Sequence, residues 1–307
     1  MFLDILQDPP NSQRPPIAAK TDPVPVYPVW RQHMWILPRL LPPLILHRVI
    51  METTGTTFHP LFALLFYSGS FLLFGISLFQ MLRRMGKKYG FFDGAHERDG
   101  VPDVHGWKVA MSLLGVITIR PLFATFVAYD RNELPSISWR TPIDIAAYSL
   151  VLDFWFYLYH RTMHEVPFLW QLHRLHHTTK HPSANLGAYA DVLQEWGDIL
   201  IIPLLAYLIL PLDFTTWYLT TGYLLYTEAS GHSGIRLYWQ VPTTFFLRYF
   251  DMELCLEDHD RHHAVGYRTS GDYGKQSRLW DTLFHTKRAR VESRAENLDW
   301  INVAVTQ

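Results

Sequence analysis

Nine of the sixteen histidines fall into four groups whose spacing suits a metal cage. His160 and His164 stand at i and i+4, and His173, His176 and His177 at i, i+3 and i+4, so each group can project from one face of one helix. Pro167 separates the two groups, disfavours helical geometry at Val166 and lets the chain turn so that the two faces meet. His232 stands alone in GHSG, and His259, His262 and His263 repeat the denser spacing in DHDRHH. Any one of them, taken singly, is most simply a surface or hydrogen-bonded residue. The ordered set is not. Neutral imidazole is a common ligand for iron, zinc and copper, and nine exceed the roughly four to six ligands that one ion takes, so two metals close together are expected.

The elements that must position these groups are apolar. The 307 residues suit one catalytic unit, and 49% hydrophobic with 15% aromatic residues, among them eleven Trp and sixteen Tyr, suits an interfacial belt. A net charge of −1 argues against a nucleic-acid partner. The single cysteine, Cys255, excludes an internal disulfide, fits a reducing compartment, and in its apolar run is expected to be a small buried hydrophobe. Residues 1–29 hold seven prolines and are expected to form a flexible or extended arm without signal-peptide character. Residues 30–50, broken by Pro38, Pro42 and Pro43, suggest an interfacial segment.

Residues 60–82 carry no charge and can cross a bilayer, and Arg83, Arg84, Lys87 and Lys88 place the end of that crossing in the cytosol. A second apolar run, 107–129, contains Arg120 before Pro121, either snorkelling at a kink or serving a substrate. A third, 142–159, carries Asp144 and Asp153 and runs into His160. Asp153 lies two turns before that histidine, as a candidate acceptor behind it or as an ordinary hydrogen-bonding residue. Residues 198–230 form a hairpin broken at Pro211, Leu212 and Asp213, which returns His232 to the side of the other histidines, and the chain from Gly234 onward forms a charged cap. An all-α membrane bundle of about four spans under a cytosolic histidine-rich cap follows. An interfacial or re-entrant first segment reconciles Arg14, Lys20, Arg31, Arg39 and Arg48 with this orientation.

The stretch YHRTMHEVPFLWQLHRLHH, the isolated HSG, and HDRHH followed by DYGKQSRLWDTLFHT resemble the fatty acid hydroxylase superfamily of membrane enzymes. The likeness is greatest to the branch of sterol desaturases and C-4 methylsterol oxidases, where NYG and WDxLFGT are usual, and it covers roughly residues 145–287. It implies a non-haem di-iron centre in the endoplasmic reticulum membrane, able to acquire zinc on purification, that activates dioxygen to hydroxylate, desaturate or epoxidise a sterol, terpenoid or fatty-acyl substrate. It also implies an electron donor, a b-type cytochrome or an NAD(P)H-dependent reductase, which basic residues of the cap could steer: Arg174, Lys180, Arg261, Arg268, Lys275, Arg278, Lys287, Arg288 and Arg290. The absence of a fused cytochrome domain tilts the expected substrate towards a free sterol-like or specialised metabolite. The organisation expected is an arm over 1–56, a membrane di-metal oxygenase domain over 57–290 and a tail over 291–307.

Oxidising an unactivated C–H bond is beyond any side chain alone, and no haem-ligating cysteine motif or Gly-rich nucleotide loop is evident, so the histidines must carry the oxidant. Glu165, Glu257, Asp258 and Asp281 are candidate acidic partners behind the ligands. One departure from the branch bears on the cage. Where AEYAHPxE is typical, this chain has GAYADVLQEW, so Asp191 ligates iron through oxygen, or that position is lost and opened to water or substrate, or His181 or His285 supplies the missing ligand. That departure motivates a second reading, the same cage used as a Lewis acid for hydrolysis, isomerisation or rearrangement. A third, a metal-binding scaffold, sits poorly with nine retained histidines.

Overall fold

The computed structural model describes residues 14–306; the first thirteen residues of the expected arm lie outside them. A helical bundle carries a cap at one end. The bundle comprises α1 (Val29–Thr54), α2 (Pro60–Tyr89), α3 (Gly106–Val127) and α4 (Thr141–Glu165), then α5 (Pro167–His173) and α6 (Val192–Trp196). A π-helical turn, Gly197–Ile201, joins α6 to α7 (Ile202–Ile209), and α8 (Phe214–Gly231) follows. The cap holds α9 (Leu256–Val265) and α10 (Leu279–Leu283).

α8 is the central post. Nearly every residue on it is buried, as expected of a helix enclosed on all sides, and it packs against α1, α2, α3 and α4. Asp213 starts it by accepting the Thr216 N–H at 2.9 Å. Gly222 lets α1 approach, because a methyl group there would overlap the buried Leu40 side chain. Large apolar side chains elsewhere point outward, among them Leu61, Phe62, Leu65 and Leu73 on α2, Phe126 on α3 and Leu208 on α7. So many exposed large apolar side chains suit lipid contact.

Among the described residues four helical stretches are long and apolar enough to cross a membrane: Val29–Thr54, Pro60–Tyr89, Asp103–Val127 and Val192–Ile209. The membrane bundle expected from sequence is therefore present, with a changed membership. The segment expected to lie at the interface is the continuous helix α1, whose Trp35, Ile36, Leu40, Leu44, His47 and Met51 are buried. Three prolines forfeit backbone donors there, but tertiary packing outweighs that loss. α4 and α8, expected as crossings, are not among the four. α4 carries Asp144, Asp153, Arg161 and Glu165, and α8 carries Glu228 and a run of threonines.

Within the described parts of the expected arm and tail, strands hold the chain to the cap. β1 (Val24–Tyr27) lies between β2 (Tyr238–Trp239) and β3 (Leu298–Asp299) and pairs in parallel with both, Val26 with Tyr238 and Val24 with Leu298. Glu257, expected behind a metal ligand, instead accepts the N–H groups of Val291, Glu292 and Ser293 at 2.5–2.9 Å and so fixes the chain's last segment to α9.

The close approach of α1 and α8 sets a test of the packing. Gly222→Ala is expected to lower the apparent melting temperature in detergent, by an overpacking cost of about 1–3 kcal/mol. Adding Leu40→Ala should give a loss smaller than the sum of the two single changes, because the overlap is removed. Additive losses would mean that the helices do not meet there.

Candidate metal centre

The folded chain draws all nine histidines into two adjoining sets, each with ligand atoms within 4.8 Å of one another. His160, His164, His173, His177 and His262 form one, and His176, His232, His259 and His263 the other; all nine are buried. The last turn of α4 presents His160 and His164, and Val166, in extended conformation before Pro167, starts the turn into α5. A short 3-10 turn then splits neighbours His176 and His177 between the sets, as α9 does with His262 and His263. The C-terminus of α8 delivers His232.

Backbone carbonyls orient the rings. The Nδ1 atoms of His160, His164, His176, His232, His262 and His263 lie 2.7–3.2 Å from the carbonyl oxygens of Tyr273, Tyr267, Tyr189, Glu228, Gly271 and Thr179. A carbonyl only accepts, so each of these rings carries its proton on Nδ1 and turns a bare Nε2 lone pair inward. Two of the lone pairs, on His164 and His263, meet no donor at all. Between His176 and His232 the two Nε2 atoms face each other at 3.2 Å with neither holding a hydrogen. That contact is repulsive unless a cation stands between the lone pairs. Two nitrogens each about 2.1 Å from one ion at right angles lie about 3.0 Å apart, and the closest Nε2 pairs, His160–His173, His232–His259 and His177–His262, stand at 3.0–3.1 Å. The donor set therefore fits metal ions.

Burial, reinforced by neighbouring imidazoles, holds His173, His176, His177, His259, His262 and His263 well below the ordinary histidine value, so they are neutral near pH 7, the form that can hold a metal.

The acidic residues expected beside the ligands act one layer further out. Asp281 accepts the N–H groups of Tyr273 and Gly274 at 2.8 Å, fixing the backbone whose carbonyl meets His160. Asp153 contacts no histidine in the cage; it accepts the N–H groups of Lys275 and Gln276 at 2.7 Å and the Ser277 hydroxyl at 2.6 Å. Asp258 is gripped by Arg290 at 2.7–2.8 Å and caps α9 through the Cys255 N–H. Glu165 is exposed and pairs with Arg161 on its own helix. Cys255 is buried, as its apolar setting suggested.

Asp191 does not join either set. It caps α6 by accepting the Leu193 N–H at 3.0 Å, a local role that an aspartate at a helix start readily takes. His285 is exposed, and His181 stacks on His96 at 4.9 Å near Asp93, away from the cage. Neither joins the two buried histidine sets, and His181 groups instead with Asp93 and His96.

Sequence reasoning missed the carbonyls, which no side chain announces, and it missed Gly187 and Glu228. A Cβ on Gly187 would sit 2.9 Å from the His232 ring. Glu228 was discoverable as the lone carboxylate in an apolar helix. It binds Arg120 at 2.7 and 2.9 Å, so Arg120 is a buried ion-pair partner and not a snorkelling charge. An apolar cavity bounded by α2, α3 and α8 ends at Glu228, His232 and Lys275, and so reaches the four-histidine set.

Two measurements test the assignment. Asp191→Ala should keep the metal content of the parent protein and cost about 1 kcal/mol of stability, whereas His263→Ala should lose metal, both by elemental analysis and thermal melting. In the metal-free protein, the unfolded chain takes up protons below the ordinary value of 6.5 while the buried imidazoles resist them. Stability should therefore be full above pH 6.5 and fall as the pH drops below it, checked by melting temperature against pH.

A family model described as fatty acid hydroxylase matches residues 145–286, the stretch that contains both histidine sets. Fatty acid hydroxylase vlmA of a Lecanicillium species is 38% identical over 309 residues, covering 92% of this chain and 84% of that protein. Methylsterol monooxygenase erg25B of Aspergillus fumigatus is 27% identical over 171 residues, covering 54% of this chain and 55% of its own length. A very-long-chain aldehyde decarbonylase of Oryza sativa, GL1-11, is 30% identical over 169 residues, or 54% of this chain and 60% of that protein. No solved structure matches significantly. With its two histidine sets inside the matched region and a relative aligned along nearly its whole length, this chain is an oxidoreductase of the fatty acid hydroxylase family.

Proposed function

We propose that this protein is a membrane-bound non-haem di-iron oxygenase that hydroxylates, desaturates or epoxidises a lipophilic substrate. The observation that carries the reading is the confrontation of the His176 and His232 Nε2 lone pairs, each ring having its proton committed to a carbonyl. One ion would be held by His160, His164, His173, His177 and His262 and the other by His176, His232, His259 and His263. When bound, iron supplies the activation of dioxygen and the oxidation of a C–H bond that side chains cannot perform.

The chain's own residues do the rest. Six carbonyls fix ring tautomer and direction, Asp281 holds one of those carbonyls in place, and the apolar wall ending at His232 admits a lipophilic molecule and excludes bulk water. The relative aligned along most of the chain is named a fatty acid hydroxylase, which favours a fatty-acyl substrate over a sterol-like one. Electrons come from a b-type cytochrome or an NAD(P)H-dependent reductase. Arg174, Lys180, Arg268 and Arg288 are exposed for such a partner, whereas Arg278 and Arg290 are committed to buried carboxylates and Lys275 faces the cavity.

We place the cage on the cytosolic side of the endoplasmic reticulum membrane. The basic end of α2 lies on the same side of the bundle as the cage, since the Gly90 carbonyl accepts the Arg236 N–H at 3.0 Å just beyond His232.

Elemental analysis of detergent-purified protein should find about two irons per chain, with oxygen consumption dependent on a chemical reductant. His176→Ala and His262→Ala should each reduce iron and abolish turnover. Tightly bound zinc with no oxygen uptake after iron reconstitution would instead select the Lewis-acid reading.

A further inference from the structure

We infer that Lys275 is a specificity-determining residue that binds the acyl oxygen of a long-chain substrate, with the alkyl tail running outward between α2 and α3. The inference rests on the oxygenase reading for the reaction, but its observations are those of a binding site.

The cavity that reaches His232 encloses about 800 Å³ of atom-free space including its open mouth. Its walls, among them Leu72, Ile76 and Phe79 on α2 and Leu113 and Val116 on α3, offer nothing polar to a ligand. Polarity is confined to the inner end, where Glu228, His232 and Lys275 meet. The Lys275 ammonium lies 3.2 Å from Glu228 Oε1 and 4.4 Å from the centre of the Phe156 ring, and its side chain is 14% exposed. An ammonium has three donors and one goes to Glu228, which leaves donors for the cavity.

Glu228 is itself engaged on both oxygens, by Nη2 of Arg120 at 2.7 and 2.9 Å and by Lys275 at 3.2 Å, and as an acceptor it offers no donor to a ligand. The Arg120 side chain is 5% exposed, and its Nε and Nη1 have no partner. Asp198, on the π-helical turn, is another half-buried carboxylate near these cations, and its Oδ1 is also unpartnered. Two cations thus stand with two carboxylates, so the charges balance, and Lys275 is the cation that lines the cavity with N–H groups beyond the one directed at Glu228. An acceptor oxygen that brings apolar bulk with it satisfies both halves of the cavity.

Lys275 is also held in place from behind. Asp153, fully buried on α4, accepts its backbone N–H and that of Gln276, and the Ser277 hydroxyl bonds the other carboxylate oxygen. The same loop carries Tyr273, whose carbonyl orients His160. A head group on Lys275 therefore lies beside His232, and the carbons closest to the head are the ones presented to the cage.

The test uses the iron-loaded, full-length protein without reductant, and measures binding of tritiated hexadecanoic acid, methyl hexadecanoate and hexadecane. The acid or the ester should bind more tightly than the alkane, and Lys275→Met should weaken that binding at least tenfold while leaving hexadecane unchanged. Lys275→Arg should recover part of the loss, and equal iron content in the variants shows that the fold survives. Preference for the acid identifies a free carboxylate as the head, and preference for the ester an acyl carbonyl. Acid and ester affinities unmoved by Lys275→Met, or no tighter than that of hexadecane, would overturn the inference. Because no turnover is read, Lys275-dependent binding without oxygen uptake would fail the oxygenase reading alone.

Discussion

The structure depends on a repulsion that it does not itself relieve. Buried imidazoles commit their protons outward to carbonyl oxygens and point lone pairs at one another across about 3 Å. In a metal-free interior that arrangement is unfavourable, since each lone pair loses water and gains no donor. It is held because the groups behind the rings are overdetermined. The carbonyl facing His160 belongs to a backbone segment pinned by Asp281, and the one facing His262 belongs to Gly271, whose left-handed conformation and contact with Thr286 leave no room for a side chain. The fold thereby preorganises the cage for a cation before any is bound.

The buried acids and bases of the cap serve that rigidity. Asp258 joins Arg278 and Arg290, Asp272 receives Arg278, and Glu257 closes the last segment onto α9. Each carboxylate is satisfied by a guanidinium or by backbone N–H groups, so a strongly polar layer can sit over an apolar bundle without orphaned charge. The layering also separates duties. Cap residues orient the imidazoles, while α2 and α3 line the apolar cavity that reaches His232.

Glu228 stands where these layers touch. Its carbonyl orients His232, its carboxylate binds Arg120 on α3 and Lys275 from the cap, and it lines the cavity. One residue in the central helix thereby links imidazole orientation, helix packing and the polar end of the cavity. This is an economical use of a charge that is costly to place among apolar helices.

The sequence by itself determined the nine histidines, their grouping and the membrane character of the chain. Helical periodicity turns spacing directly into a shared face, and long apolar runs have few alternatives to a bilayer. It also singled out Asp153 and Arg120 as unusual, without revealing their partners. Tertiary structure alone decided which histidine serves which set, since adjacent residues such as His176 and His177 diverge by the turn that carries them. It decided, too, that Asp191 caps a helix, that three prolines do not break α1, and that carbonyls rather than carboxylates back the rings. Those outcomes rest on long-range packing and on backbone atoms that every residue shares, so residue identity carries no signal of them.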